Sequence, residues 1–166
     1  MSASEPPTEL PVPDPVRISG FWARMRARGI VEPDAPTPTA ECFGDSVELA
    51  DELLGLILDG PKRATAGAYE DYVREGATIP YEGMYTIATD GRGVPRALLR
   101  TTDVRVGPLS SVDDQFAWDE GEGDRTRDSW LRDHHTFFER YLPSVGLTFS
   151  PDMATVFERF DVVATE

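Results

Sequence analysis

The chain is 166 residues long and 40% hydrophobic, with 30 acidic and 16 basic side chains and a formal charge of −14. One hydrophobic core fits this length and two ordinary domains do not; no apolar run reaches a membrane span and no secretory signal opens the chain, so a cytoplasmic protein is expected. So large an excess of acids excludes duplex DNA and a membrane surface as partners, since both recruit a basic face, and leaves room only for a short contact to a nucleotide.

Residues 1–16 carry Pro6, Pro7, Pro11, Pro13 and Pro15 among Ser, Thr and Glu, the composition of a disordered tail. Residues 17–42 form an N-terminal extension. In it the spacing predicts a short amphipathic helix from Arg17 to Ile30, with Phe21, Trp22 and Met25 inward, Gly29 at its end, and a loop broken by Pro33, Pro36 and Pro38. Its arginines (Arg17, Arg24, Arg26, Arg28) read as a solvated face rather than a ligand site. Cys42 is the single cysteine and His134 and His135 the two histidines, too few for an internal disulfide or a zinc site.

The main domain, 43–166, opens with the clearest helix. Asp45 and Glu48 fit a capping box, Val47, Ala50, Leu53, Leu54, Ile57 and Leu58 form one apolar stripe, and Gly60-Pro61 ends it. A short strand over Arg63 to Ala68 and a helical turn or two over Tyr69 to Glu75 follow. A strand over Met84 to Thr89 then turns at Asp90-Gly91-Arg92-Gly93 and returns over Val94 to Val106, with Leu98, Thr102 and Val104 on one inward face. A helix over Arg127 to Tyr141 places Trp130, Leu131, His134, Phe137, Phe138 and Tyr141 at three- and four-residue intervals. A last strand runs over Val156 to Val163. The expected class is α+β, with a small barrel-like sheet of mostly antiparallel strands flanked by helices.

Two segments carry groups suited to proton transfer: Gly60-Pro61-Lys62-Arg63-Ala64-Thr65, and Trp118-Asp119-Glu120-Gly121-Glu122-Gly123-Asp124, read as a flexible carboxylate loop. Lys62 and Thr65 point to opposite faces of a regular strand, so they converge only if Lys62 sits in the turn before it or a bulge intervenes. Partial desolvation lets an amine act as a base, and a neighbouring hydroxyl then attacks or holds a water. Lys62 equally suits the end of the preceding helix, where the dipole favours a cation by about 0.3–1 kcal/mol. Glu120, Glu122 and Asp124 admit a general acid–base role, or a place ahead of the next helix with Thr126 as its N-cap. His134, Trp118 and Trp130 read as packing residues or as contacts to a base.

With the turn at Asp90 to Pro95 and with Trp130, His134, Phe137 and Phe138, these two segments resemble the ASCH domain family in its larger bacterial type, from about Phe43 to Val163. The resemblance implies a PUA-like β-barrel flanked by helices, with a cleft for a nucleoside or short single-stranded RNA. Small members are N4-acetylcytidine amidohydrolases with a catalytic lysine, threonine and glutamate, and larger ones are linked to ribonuclease activity. By motif, Lys62 and Thr65 match the first two, and Glu122, or Glu120 in a shifted register, matches the third. Arg63, Trp118, Asp124, Thr126, Trp130 and His134 are the candidates for substrate contact. The small enzymes carry an arginine two residues after the threonine, where this chain has Gly67. The implied activity is a hydrolase that needs neither metal nor cofactor; the alternative is a non-catalytic module binding RNA or a regulatory nucleotide.

Overall fold

Helix α1, Pro15–Ala27, begins ahead of its expected start because the Asp14 side chain accepts the Val16 N–H and proline is tolerated in the first turn. The computed structural model describes residues 10–166. The proline-rich segment expected to be disordered lies outside them up to residue 9, and its last residues are helical rather than unstructured. The α1 arginines are engaged within the chain: Arg17 lies 4.0 Å from Asp14, Arg24 forms a paired contact with Glu166, and Arg26 donates to the Ala35 carbonyl.

After strand β1, Ala40–Glu41, comes helix α2, Val47–Leu58. Ser46, not Asp45, is its N-cap: Ser46 has the extended backbone of a capping residue, and its hydroxyl accepts from Leu49 N at 3.1 Å. Ala50, Leu53, Leu54 and Ile57 form the buried stripe. Strand β2 is Ala64–Ala68, helix α3 Tyr69–Glu75, strand β3 Tyr85–Thr89 and strand β4 Pro95–Pro108. On β4 the expected single inward face is not seen: Ala97, Leu98 and Leu99 are all buried, as in a strand covered on both sides, and Thr102 is exposed.

Helix α4, Asp114–Glu120, stands where a loop is expected from the sequence. Asp113 caps it by accepting from Phe116 N at 2.7 Å, and Gly121 in the left-handed region closes it. Its brevity hides its period. Helix α5 runs Arg127–Ser144, past the expected end at Tyr141 and with Pro143 in its last turn, and strand β5, Ala154–Thr165, completes the chain.

The five strands lie in the order β1-β3-β4-β5-β2. β3 pairs with β4 and β2 with β5 antiparallel, whereas β1 joins β3 in parallel. The α+β class and the mostly antiparallel sheet agree with the sequence. The barrel does not: the sheet is not closed, and β1, two residues long, and β2 remain its edges.

The chain divides into two compact units, one of the described residues up to Asp59 with Tyr85–Arg100 and Val162–Glu166, the other of Gly60–Met84 and Thr101–Asp161. The first has a core of Phe21, Trp22, Met25, Val31, Ile87, Leu98 and Ala164. In the second, Phe116 of α4 sets its ring edge-on to Phe157 at 5.1 Å and to Trp130 at 6.1 Å, joining helix α5 and strand β5. Phe116→Ala should therefore cost about 3–5 kcal/mol of stability, the usual range for truncating a fully buried aromatic, read as a lower urea midpoint at unchanged slope.

Candidate functional site

Lys62 occupies the turn ahead of β2, in the second unit, with its side chain 1% exposed. Backbone contacts hold this turn against the end of α4: Arg63 N donates to Asp119 O at 2.7 Å, and Arg63 O accepts from Phe160 N of β5 at 3.0 Å. Gly121 makes the approach possible. Its φ is +69°, and a Cβ there would lie 2.8 Å from Lys62 N and Pro61 C, so any other residue forces helix and turn apart. The Lys62 ammonium thus lies at the C-terminal end of α4, where the Glu120 carbonyl is 3.4 Å away.

The Lys62 Nζ donates to Ala64 O at 2.8 Å and to Glu122 Oε2 at 3.0 Å, with Glu120 O at 3.4 Å and Glu120 Oε1 at 3.5 Å. Glu120, the last residue of α4 rather than a loop residue, is 2% exposed. From α5, His134 brings Nε2 to 3.1 Å from Glu120 Oε1, its Nδ1 lies 2.8 Å from Trp130 O, and its ring stacks on Trp130 at 3.7 Å. A carbonyl oxygen only accepts, and so does an ionised carboxylate, so both ring nitrogens face acceptors and the imidazolium suits the position.

Burial pushes the Glu120 carboxyl up, but His134 and then Lys62 outweigh it and bring it down to about 2. Burial also pushes Glu122 up; there Lys62 opposes and the neighbouring Glu120 carboxylate adds, and the net shift is upward. The two acids are thereby separated: Glu120 stays ionised and Glu122 holds a proton more readily. Glu120 Oε2 is buried with no hydrogen-bond partner among the described residues. The His134 imidazole, lowered by burial, is raised overall by Glu120.

Glu120, Glu122 and His134 place ligand atoms within 4.8 Å of one another, as a metal ion requires. The Lys62 ammonium already lies 3.0 Å and 3.5 Å from the two carboxylates, filling a cation's place, so the donor set fits an amine better than a metal.

Thr65 is not in this cluster. It is half-buried on β2, opposite Glu158 of β5, on the strand face turned away from Ala64, Ala66 and Ala68, which meet the aromatic core. Lys62 does lie in the turn, yet its amine is directed to the two glutamates and not to Thr65. At Gly67 a Cβ would meet the Tyr72 ring at 2.9 Å, so that ring covers the position where the small enzymes have their arginine.

The other candidates fall into two groups. Asp124 accepts from Thr126 N and Oγ1, interactions that hold its carboxyl below the usual range, and Thr126 accepts from Ser129 N as the N-cap of α5; Trp130 is a core residue, 5% exposed. Trp118 is 53% exposed, with the Arg125 guanidinium 3.6 Å over its ring, and Arg63 donates to Lys62 O at 2.6 Å. Arg125 was not evident from sequence: its backbone at φ +64°, unusual for an arginine, depends on the loop it closes.

His134 is raised from 6.5 in the folded chain. Its stabilisation is complete below that unfolded value and is lost as pH rises through the folded value. Urea unfolding at pH 6 and pH 9 should show the wild type losing more stability on alkalinisation than His134→Gln.

Comparison with known proteins bears out the family resemblance and the α+β class. The ASCH domain profile matches residues 39–164. A crystal structure of a protein from Enterococcus faecalis V583, assigned to the DUF984 family, is 34% identical, with a TM-score of 0.80 over 89% of this chain and 88% of that one. The ASCH domain from Lactobacillus crispatus JV V101 is 29% identical, with a TM-score of 0.79 over 89% of this chain and 94% of that one. No curated protein matches the chain significantly. With its sequence matched over most of its length and its fold shared with both structures, a fold consistent with the PUA-like superfamily, the chain belongs to the ASCH domain family.

Proposed function

We propose that the protein is a metal-independent hydrolase acting on a modified nucleoside of the N4-acetylcytidine kind, or on a short RNA element, with the cluster around Lys62 as its proton-transfer apparatus. The observation that carries this reading is the contact of one buried amine with two glutamates whose carboxyls are displaced in opposite directions, an arrangement that keeps Glu120 as a fixed counter-ion and raises Glu122 towards the range of a group that both takes and gives a proton. An RNA-related ligand accords with the ASCH domain, a PUA-like fold often linked to RNA binding.

In this mechanism Glu122, with 31% of its side chain exposed, is the member that reaches substrate. It takes a proton from the water that attacks the acyl carbon, and returns that proton to the leaving amine as the C–N bond breaks. Lys62 orients Glu122 and sets positive charge beside the developing oxyanion. Glu120 and His134 are positioning residues that hold Lys62. No helix among the described residues is long and apolar enough to cross a membrane, and a neutral nucleoside suits a chain of charge −14 better than a long polyanion does.

Chromatography of N4-acetylcytidine, other modified nucleosides and short RNAs incubated with the protein is the test. The wild type should form product, and Glu122→Gln should lower kcat by about 100-fold or more, the scale of a lost general acid–base group, with its circular dichroism unchanged. Equal turnover by both would remove Glu122 from the mechanism. Glu122→Gln is a cleaner variant than Lys62→Ala, which strands Glu120 without its ammonium at a cost of about 3–5 kcal/mol.

The exposed Trp118 under Arg125 favours a second reading, a non-catalytic module that stacks a base of single-stranded RNA. On this reading no substrate is turned over, and Trp118→Ala weakens binding of a short oligonucleotide by about 1–3 kcal/mol, measurable by fluorescence anisotropy.

A further inference from the structure

The cluster around Lys62 leaves one buried acid unused. Glu158 on β5 is 8% exposed. Its Oε1 accepts a 2.6 Å hydrogen bond from the Thr101 hydroxyl of β4, and its cross-strand partner on β2 is Thr65. Opposed residues of an antiparallel pair share one face, with Cβ atoms about 4.5–5.5 Å apart, so Thr65 and Glu158 stand side by side. Their face is the one turned away from Ala66 and Phe157, which pack in the aromatic core. The Thr65 hydroxyl has no hydrogen-bond partner among the described residues. Next on this face is Gly67, with the Tyr72 ring against it.

Glu158 differs from Glu120 and Glu122 in having no cation beside it. Burial raises its carboxyl, and the Thr101 hydroxyl alone opposes. An acid of this kind holds a proton more readily than an exposed one, and in the protonated form it presents a donor on one oxygen and an acceptor on the other. That pair complements a planar amide, in which a carbonyl lies beside an N–H. The Tyr72 ring, packed over Gly67, bounds this face beside Thr65.

We propose that Glu158 and Thr65, backed by Thr101 and the Tyr72 ring, form a recognition site for the amide edge of a planar heterocycle or N-acyl group. The ligand class rests on the function proposed above, but recognition is placed on the sheet face that carries Thr65, whereas the proton-transfer groups belong to the α4 end of the unit. The assignment gives Thr65 a role that does not need contact with Lys62. A hydrogen-bonding site of this kind discriminates strongly, because a ligand without the matching edge leaves the buried acid unpaired.

The test uses the full chain with uridine, cytidine, N4-acetylcytidine and acetamide as probes, followed by calorimetry and by NMR of the Thr65, Thr101 and Glu158 resonances. Uridine and N4-acetylcytidine should perturb these resonances, and acetamide should do so weakly if the acyl amide alone is read. Glu158→Gln, which keeps a donor and an acceptor, should bind within about threefold of wild type, while Glu158→Leu and Thr65→Val should each lose about tenfold or more. Wild-type affinity in both of the latter variants overturns the proposal, and so does a wild type whose three residues are unmoved by millimolar probe. Turnover assays on the same variants separate this site from the hydrolase reading. Product formation at unchanged KM in Glu158→Leu removes the site and keeps the hydrolase, whereas binding that depends on Glu158 without any product keeps the site and removes the hydrolase.

Discussion

The second unit is organised by the burial of one amine. Lys62 has its side chain almost wholly out of water, and a charge in that position costs several kcal/mol of solvation unless nearby groups replace the lost water. Four groups do so here: the carbonyls of Ala64 and Glu120 and the carboxylates of Glu120 and Glu122. Meeting that demand fixes where α4 ends, why Gly121 follows it and why the loop returns through Glu122. Such clusters add little net stability, since apolar residues of similar volume serve as well. The opposed displacement of the two carboxyls separates them chemically: Glu120 is held ionised and Glu122 is raised.

The arrangement is layered from the core outward. Phe116 and Trp130 pack beside Phe157 and fix the facing surfaces of α4 and α5; His134, one turn beyond Trp130 on α5, is thereby brought to Glu120. Glu120 holds Lys62, and Lys62 holds Glu122 at the solvent side. Burial does not fall steadily along this path: the His134 side chain is 15% exposed, those of Glu120 and Lys62 only 3% and 1%, and Glu122, at 31%, is the member that reaches solvent.

Much of the fold was legible because its signals are local. The stripe of α2, the span of α3 and the turn at Asp90 to Gly93 follow from periodicity and turn chemistry. What misled was context. α4 is seven residues long, too short for its period to show, and its N-cap Asp113 is one acid among many. Leu98 on β4 lies between two other buried residues, because that stretch is covered on both faces and alternation vanishes. Asp45 and Ser46 are adjacent capping residues, and backbone geometry rather than residue type selects the second. Closure of the sheet is a matter of strand pairing across the chain, and nothing local in the sequence rules it in or out.

The site divides in the same way. From the sequence alone came the residue types, Lys62 in a turn, two glutamates spaced by glycine and a histidine on an aromatic stripe, because motif spacing and helical period are properties of neighbours along the chain. Only the tertiary structure decided that Lys62 meets both glutamates and that His134 completes the group, while Thr65 instead lies beside Glu158 on β5. The pairings of Lys62 with the glutamates and of Thr65 with Glu158 join residues separated by 58 and more positions, and they are set by strand register and by the close approach at Gly121, which no local pattern encodes.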